Sequence, residues 1–172
     1  YMDIDFREMV QQTEGEMAEK FAARNLSVVL NLPEEAAVIH VDGRRMWRVL
    51  ENIFGNAAKY AMPGTRVYVD AIRKDGKIQF SIKNISENAL NCEADELTER
   101  FIRGDVSRST EGSGLGLSIA KNLTVLQHGT FDIYLDGDLF KVTITFDEVV
   151  KEKKPETSGY TAKPEMPEED LE

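Results

Sequence analysis

Asn52, Asn56, Lys59 and Tyr60 stand where one helix would gather them. At about 100° of rotation per residue, Asn52, Asn56 and Lys59 fall within roughly 60° of one another. Met46, Val49, Leu50, Ile53 and Ala57 form an apolar stripe beside them, with Tyr60 on the border. A lone asparagine on a helix is most simply a solvated side chain. Two on adjacent turns need a further reason, because the asparagine amide competes with the backbone for hydrogen bonds. An amide oxygen is a hard, neutral ligand suited to Mg²⁺, which takes few protein ligands and fills its shell with water and substrate phosphates. Lys59 suits a phosphate, and the Tyr60 ring suits a flat base.

A second signal follows downstream. Gly112, Gly114 and Gly116 alternate, and the periodicity of a helix begins at once with Leu115, Leu117, Ile119, Ala120 and Leu123. Glycine allows close backbone approach, and a helix N-terminus offers free N–H groups and partial positive charge to an anion. Taken alone, such a segment is as readily a plain turn as a phosphate cradle. It is neither the dinucleotide fingerprint nor a P-loop, since the spacing of both is missing.

The elements that must position these residues alternate in type. Helical spacing is expected over residues 5–24, 44–60 and 115–127, with a short helix over 96–103. Strands are expected over 26–32, 37–41, 66–72, 78–83, 130–135 and 140–146. Lys74-Asp75-Gly76-Lys77 reads as a hairpin turn, and Asp136-Gly137-Asp138 as a type I′ turn. Gly129 sits where glycine commonly stops a helix. Helices mixed with antiparallel hairpins imply an α+β domain: a mixed, mostly antiparallel sheet covered on one face by helices. One folded unit is expected over residues 1–148, followed by a charged, Pro- and Glu-rich tail over 149–172 that should be disordered.

Composition narrows the chemistry. The net charge of -10 makes nucleic acid a poor partner, so any phosphate site must be local. Cys92 is the single cysteine, which excludes an intrachain disulfide and suits a reducing compartment. No signal peptide and no run long enough to span a bilayer is legible.

Taken together and in order, the motifs resemble the GHKL ATPases, and within them the catalytic and ATP-binding domain of bacterial sensor histidine kinases. Asn52-Ile-Phe-Gly-Asn56-Ala-Ala-Lys59-Tyr60 is similar to their N box. Glu99-Arg100-Phe101-Ile-Arg103-Gly-Asp105 is similar to their F-box region, and Gly112-Ser-Gly114-Leu-Gly116-Leu-Ser118 to their G2 box. The resemblance implies the Bergerat fold, a two-layer α/β sandwich holding ATP and Mg²⁺. It implies Asn56 as the metal ligand, Asn52 near the phosphates, Lys59 on phosphate, Tyr60 on adenine and Arg103 at the terminal phosphate. It further implies a lid over 104–114, with Gly112, Gly114, Leu115, Gly116 and Leu117 closing on the nucleotide. The implied activity is transfer of the γ-phosphoryl group to a histidine on a separate dimerisation helix bundle. A response regulator receiver domain would act through the parent kinase. The domain itself is expected to be a cytoplasmic monomer, its parent anchored in the bacterial inner membrane.

Two departures stand out. The family's adenine-reading Asp-x-Gly-x-Gly is here Asn84-Ile-Ser86-Glu-Asn88, so a neutral amide replaces the carboxylate and the second glycine is missing. No phosphoacceptor histidine is recognisable: His40 lies in an expected strand and His128 at a helix end. Two alternatives stay open. One is a nucleotide-responsive docking module without transfer. The other is a different GHKL ATPase, such as an anti-sigma serine kinase.

Overall fold

The computed structural model describes residues 1–90 and 116–150. The expected helix over 96–103, the lid, and Arg103, Gly112, Gly114 and Leu115 lie outside the described residues, as does the tail from 151. In chain order the elements are β1 (Met2–Asp5), α1 (Phe6–Ala23), β2 (Ser27–Asn31), β3 (Val38–Val41) and α2 (Gly43–Tyr60). Then come β4 (Arg66–Lys74), β5 (Lys77–Ile85), α3 (Gly116–Leu126), β6 (Thr130–Asp136) and β7 (Leu139–Asp147).

Strict alternation makes the main sheet two-faced. Val67, Val69, Ala71, Ile78, Phe80, Ile82, Val142 and Ile144 point to one face and are buried. Asp70, Ser81, Lys83, Lys141 and Thr143 fill the other. Among the described residues the strand order is β2-β4-β5-β7-β6; β2 runs parallel to β4 and every other neighbour is antiparallel. The helices cover only the apolar face. Phe6 meets Phe80 edge-on at 5.6 Å between ring centroids, and Phe54 of α2 sits 6.3 Å from Phe21 and 6.1 Å from Phe80. This is the expected two-layer α+β sandwich.

One hairpin expectation holds and two local expectations change. The β4–β5 turn has positive φ at both Asp75 and Gly76, as a type I′ turn requires. The β6–β7 turn does not: only Gly137 has positive φ, the pattern of type II′, so the type I′ reading of Asp136-Gly137-Asp138 is corrected. At the end of α3 the left-handed residue is His128, with φ of 69°, and not Gly129. Gly129 is required for another reason. A Cβ there would lie 2.6 Å from Cε1 of Phe146, inside the ring's van der Waals contact. The structure also adds a strand, β1, which pairs antiparallel with β3.

Gln127 ties α3 to α2. Its side chain is buried; Oε1 accepts from the Asp42 N–H at 2.8 Å while Nε2 donates to the Leu123 carbonyl at 3.0 Å. Gln127→Ala should therefore cost about 1–2 kcal/mol, because the Asp42 donor loses its acceptor. Urea unfolding measures it, and a loss below about 0.5 kcal/mol would mean that water replaces the amide.

Candidate functional site

The site is built on α2. Asp42 caps it, accepting from the Arg44 and Arg45 N–H groups at 3.0 and 3.2 Å. The Arg45 N–H is the main cause that holds the Asp42 carboxyl below the usual carboxylate range. Met46, Val49, Leu50, Ile53, Phe54, Ala57 and Ala58 are buried against the sheet and the other helices. That burial fixes the rotation of α2, so the residues between those positions face outward together.

They line a cleft of about 390 Å³. Its floor is Arg48, Glu51, Asn52, Gly55, Asn56, Lys59 and Tyr60 of α2; Met17 and Lys20 of α1 form one wall, and Gly116 and Leu117 of α3 the other. The structure thus places Asn52, Asn56, Lys59, Tyr60, Gly116 and Leu117, all singled out from the sequence, around one cleft. Gly116 places the start of α3 directly beside Asn52: a Cβ there would stand 3.4 Å from Oδ1 of Asn52, an ordinary van der Waals contact. On the same side chain, Nδ2 of Asn52 is buried without a hydrogen-bond partner among the described residues. A buried donor left unpaired is costly, and it stands ready for an oxygen acceptor entering the cleft.

The far end of the cleft is stapled to the sheet. Lys59 Nζ lies 5.2 Å from the centroid of the Tyr60 ring. The Tyr60 carbonyl accepts from the Glu87 N–H at 2.9 Å, and the Ile85 carbonyl from the Met62 N–H at 2.7 Å. Arg24 clamps the same corner. Its guanidinium donates to the carbonyls of Ala58 and Lys59 and to Oε2 of Glu87, the last at 2.8 Å. Asn84 ends the inward row of β5 and Ser86 follows the strand; both are buried, and Ser86 forms an isolated bridge with Ala61. Asn84 is not one of the residues lining the cleft itself.

Sequence reasoning missed Arg48, Glu51, Gly55, Met17 and Lys20. Positions 48, 52, 55, 56 and 59 do share one helical face, so Arg48 was within reach of the same spacing argument. The two α1 residues carry no such signal.

The cleft holds three cations, Lys20, Arg48 and Lys59, against one carboxylate, Glu51, in a chain of net charge -10. Local positive charge in an acidic protein suits a small polyanion. Among the described residues no group of three His, Cys, Asp or Glu could hold a metal ion. The amide of Asn56 fits a hard cation that arrives with phosphate oxygens of its own. A larger, open groove of about 690 Å³ lies beside Tyr1, Met2 and Trp47. Its lining side chains offer only Arg44 and Asp42 as charged groups and none of the amides.

The family model described as histidine kinase-, DNA gyrase B-, and HSP90-like ATPase matches residues 41–167. The sensor histidine kinase WalK of Bacillus subtilis (strain 168) is 32% identical over 76% of this chain and 22% of its own. The signal transduction histidine-protein kinase BaeS of Escherichia coli (strain K12) is 27% identical over 73% of this chain and 27% of its own. The adaptive-response sensory kinase SasA of Thermosynechococcus vestitus is 24% identical over 78% and 35%. The chain therefore spans between 22% and 35% of the length of these relatives. Among solved structures, the catalytic domain of histidine kinase ThkA superposes with a TM-score of 0.74 at 18% identity, covering 86% of this chain and 95% of that one. A mycobacterial sensor histidine kinase, MprB, gives 0.72 at 21% identity, covering 88% and 99%. At such identities the likeness is one of fold. By the family match, this chain belongs to the histidine kinase-, DNA gyrase B- and HSP90-like ATPases, and the relatives it resembles within that family are sensor histidine kinases.

Proposed function

We propose that the chain binds Mg-ATP in the α2 cleft and presents the γ-phosphoryl group to a histidine on a separate helix bundle of a sensor kinase. The observation that carries this reading is the cleft itself: three cations and the unpaired Asn52 amide facing Gly116. Asn56 supplies an amide oxygen to the metal, and Asn52 donates Nδ2 to a phosphate oxygen. Lys59 neutralises phosphate charge, and Tyr60 lies against the base. Arg103 and the backbone of Gly112, Gly114 and Leu115 belong to the same reading, from outside the described residues. Magnesium, when bound, draws charge from the phosphate oxygens. For phosphoryl transfer, positioning and charge neutralisation are most of what a protein must do.

The phosphoacceptor bundle and, through the parent kinase, a response regulator receiver domain are the proposed partners. Among the described residues no helix is long and apolar enough to cross a membrane. A cytoplasmic domain of a membrane-anchored parent is the proposed setting, with the folded unit ending near residue 148. His40 and His128 are not the acceptors. His40 lies in β3 with Nδ1 2.8 Å from Oδ1 of Asp3, and His128 sits in the left-handed turn after α3.

The test is to incubate the chain with γ-labelled ATP, magnesium and the matched phosphoacceptor bundle. Label on the bundle's histidine and none on this chain is expected. Stoichiometric label on this chain's own histidines would contradict the division of labour. One observation favours a second reading, a docking module that binds nucleotide without transfer: Asn84 and Ser86 stand where the family carries Asp and Gly. The same experiment separates the two, since that module binds but never labels the bundle.

Asn84 also sets a prediction about affinity. A carboxylate acceptor makes a hydrogen bond about twice as strong as a neutral one. Asn84→Asp should tighten ATP binding roughly fivefold, about 1 kcal/mol, in titration calorimetry. No change, or a loss, would remove Asn84 from the adenine-reading position.

A further inference from the structure

We propose that Arg48 is a specificity residue for the terminal phosphate, so that the cleft distinguishes nucleoside triphosphate from diphosphate. This inference rests on the reading of the cleft as a Mg-ATP site. Arg48, Asn52, Asn56 and Tyr60 stand on successive turns of α2 and all line the cleft. Each step advances about 6 Å along the helix. With the base at Tyr60 and the metal at Asn56, the phosphate chain runs toward the N-terminal end of α2. It passes the unpaired Nδ2 of Asn52 and ends at Arg48.

Arg48 is free to act there. Arg45, three residues earlier, lies 3.8 Å from the Asp42 carboxylate, and Arg24 and Arg73 hold Glu87 and Glu148. Arg48 is exposed and has no ion-pair partner among the described residues. Glu51, one turn on along the same cleft, does not pair with it. A guanidinium offers two parallel donors that match two phosphate oxygens, a fit that an ammonium cannot reproduce. The terminal phosphate of ATP carries the charge that this end of the cleft is built to meet, and ADP lacks it.

The experiment measures magnesium-dependent binding of a non-hydrolysable ATP analogue and of ADP to the wild type, Arg48→Gln and Arg48→Lys. Loss of one charge-assisted contact should weaken the ATP analogue about tenfold in Arg48→Gln, with ADP changed by less than about twofold. Arg48→Lys keeps the charge without the fork and should fall between. Thermal midpoints should be unchanged, since Gln and Lys match Arg in helix propensity and the side chain is exposed. Equal losses for both nucleotides, or none, overturn the proposal and leave the ATP site standing. A wild type that binds neither nucleotide overturns the ATP site and this inference with it.

Discussion

Asn56→Ala is expected to weaken magnesium-dependent binding of an ATP analogue about a hundredfold, the scale on which a ligand to a charged centre contributes. Asn56 is half-buried on the cleft face of α2, away from the apolar stripe that fixes the helix. Alanine is the better helix former, so the variant should melt at or slightly above the wild-type temperature. Stability and binding then move in opposite directions, which a general loosening of the fold would not produce. Repeating the titration with a chelator sharpens the result: without magnesium the two proteins should bind equally weakly. Wild-type affinity in the variant would remove Asn56 as the metal ligand.

The opposite face of the same helix should respond in the opposite sense. Phe54→Ala is expected to cost about 3–5 kcal/mol, because a fully buried ring leaves a hole that its neighbours fill only in part. Phe54 is the ring that links Phe21 of α1 to Phe80 of β5, so one substitution loosens both layers. Domains of this size have only about 5–15 kcal/mol to lose. Urea unfolding followed by the fluorescence of Trp47 would report it. A cost below about 2 kcal/mol would mean that the core collapses around the gap.

Much of the fold could be read in advance because its signals are local. The α2 stripe at 46, 49, 50, 53 and 57 needs no distant contact to declare a helix, and Asp75-Gly76 declares its own turn. What was not legible depends on partners far away in the chain. Strand β1 alternates apolar and polar residues over only four positions, Met2–Asp5, too short a run to declare a strand without its pairing with β3. Gly129 looks like a helix stop, yet its constraint comes from Phe146, on another strand. Phe54 and Ala58 are buried as well as the predicted stripe, because α2 packs against α1, α3 and the sheet at once. In the site, amides on a helix drew notice because they are poor helix formers. Arg48, Glu51 and Lys20 did not, since charged residues on a helix ordinarily face water.

The two ends of α3 meet different neighbours. Its last turn is fixed by Gln127 to Asp42 and by the contact between Gly129 and Phe146, whereas its first residue, Gly116, borders the cleft beside Asn52. A tilt of this helix about its Gln127 end would have its widest arc at the mouth of the pocket, and would have to move Leu117, Ser118 and Ala120 in their buried seats. The helix has 11 residues, a length of about 16 Å. A tilt of about 10° would swing Gly116 by about 3 Å, the length of one hydrogen bond. A lever of that size turns a slight rocking into the making or breaking of a single polar contact in the cleft.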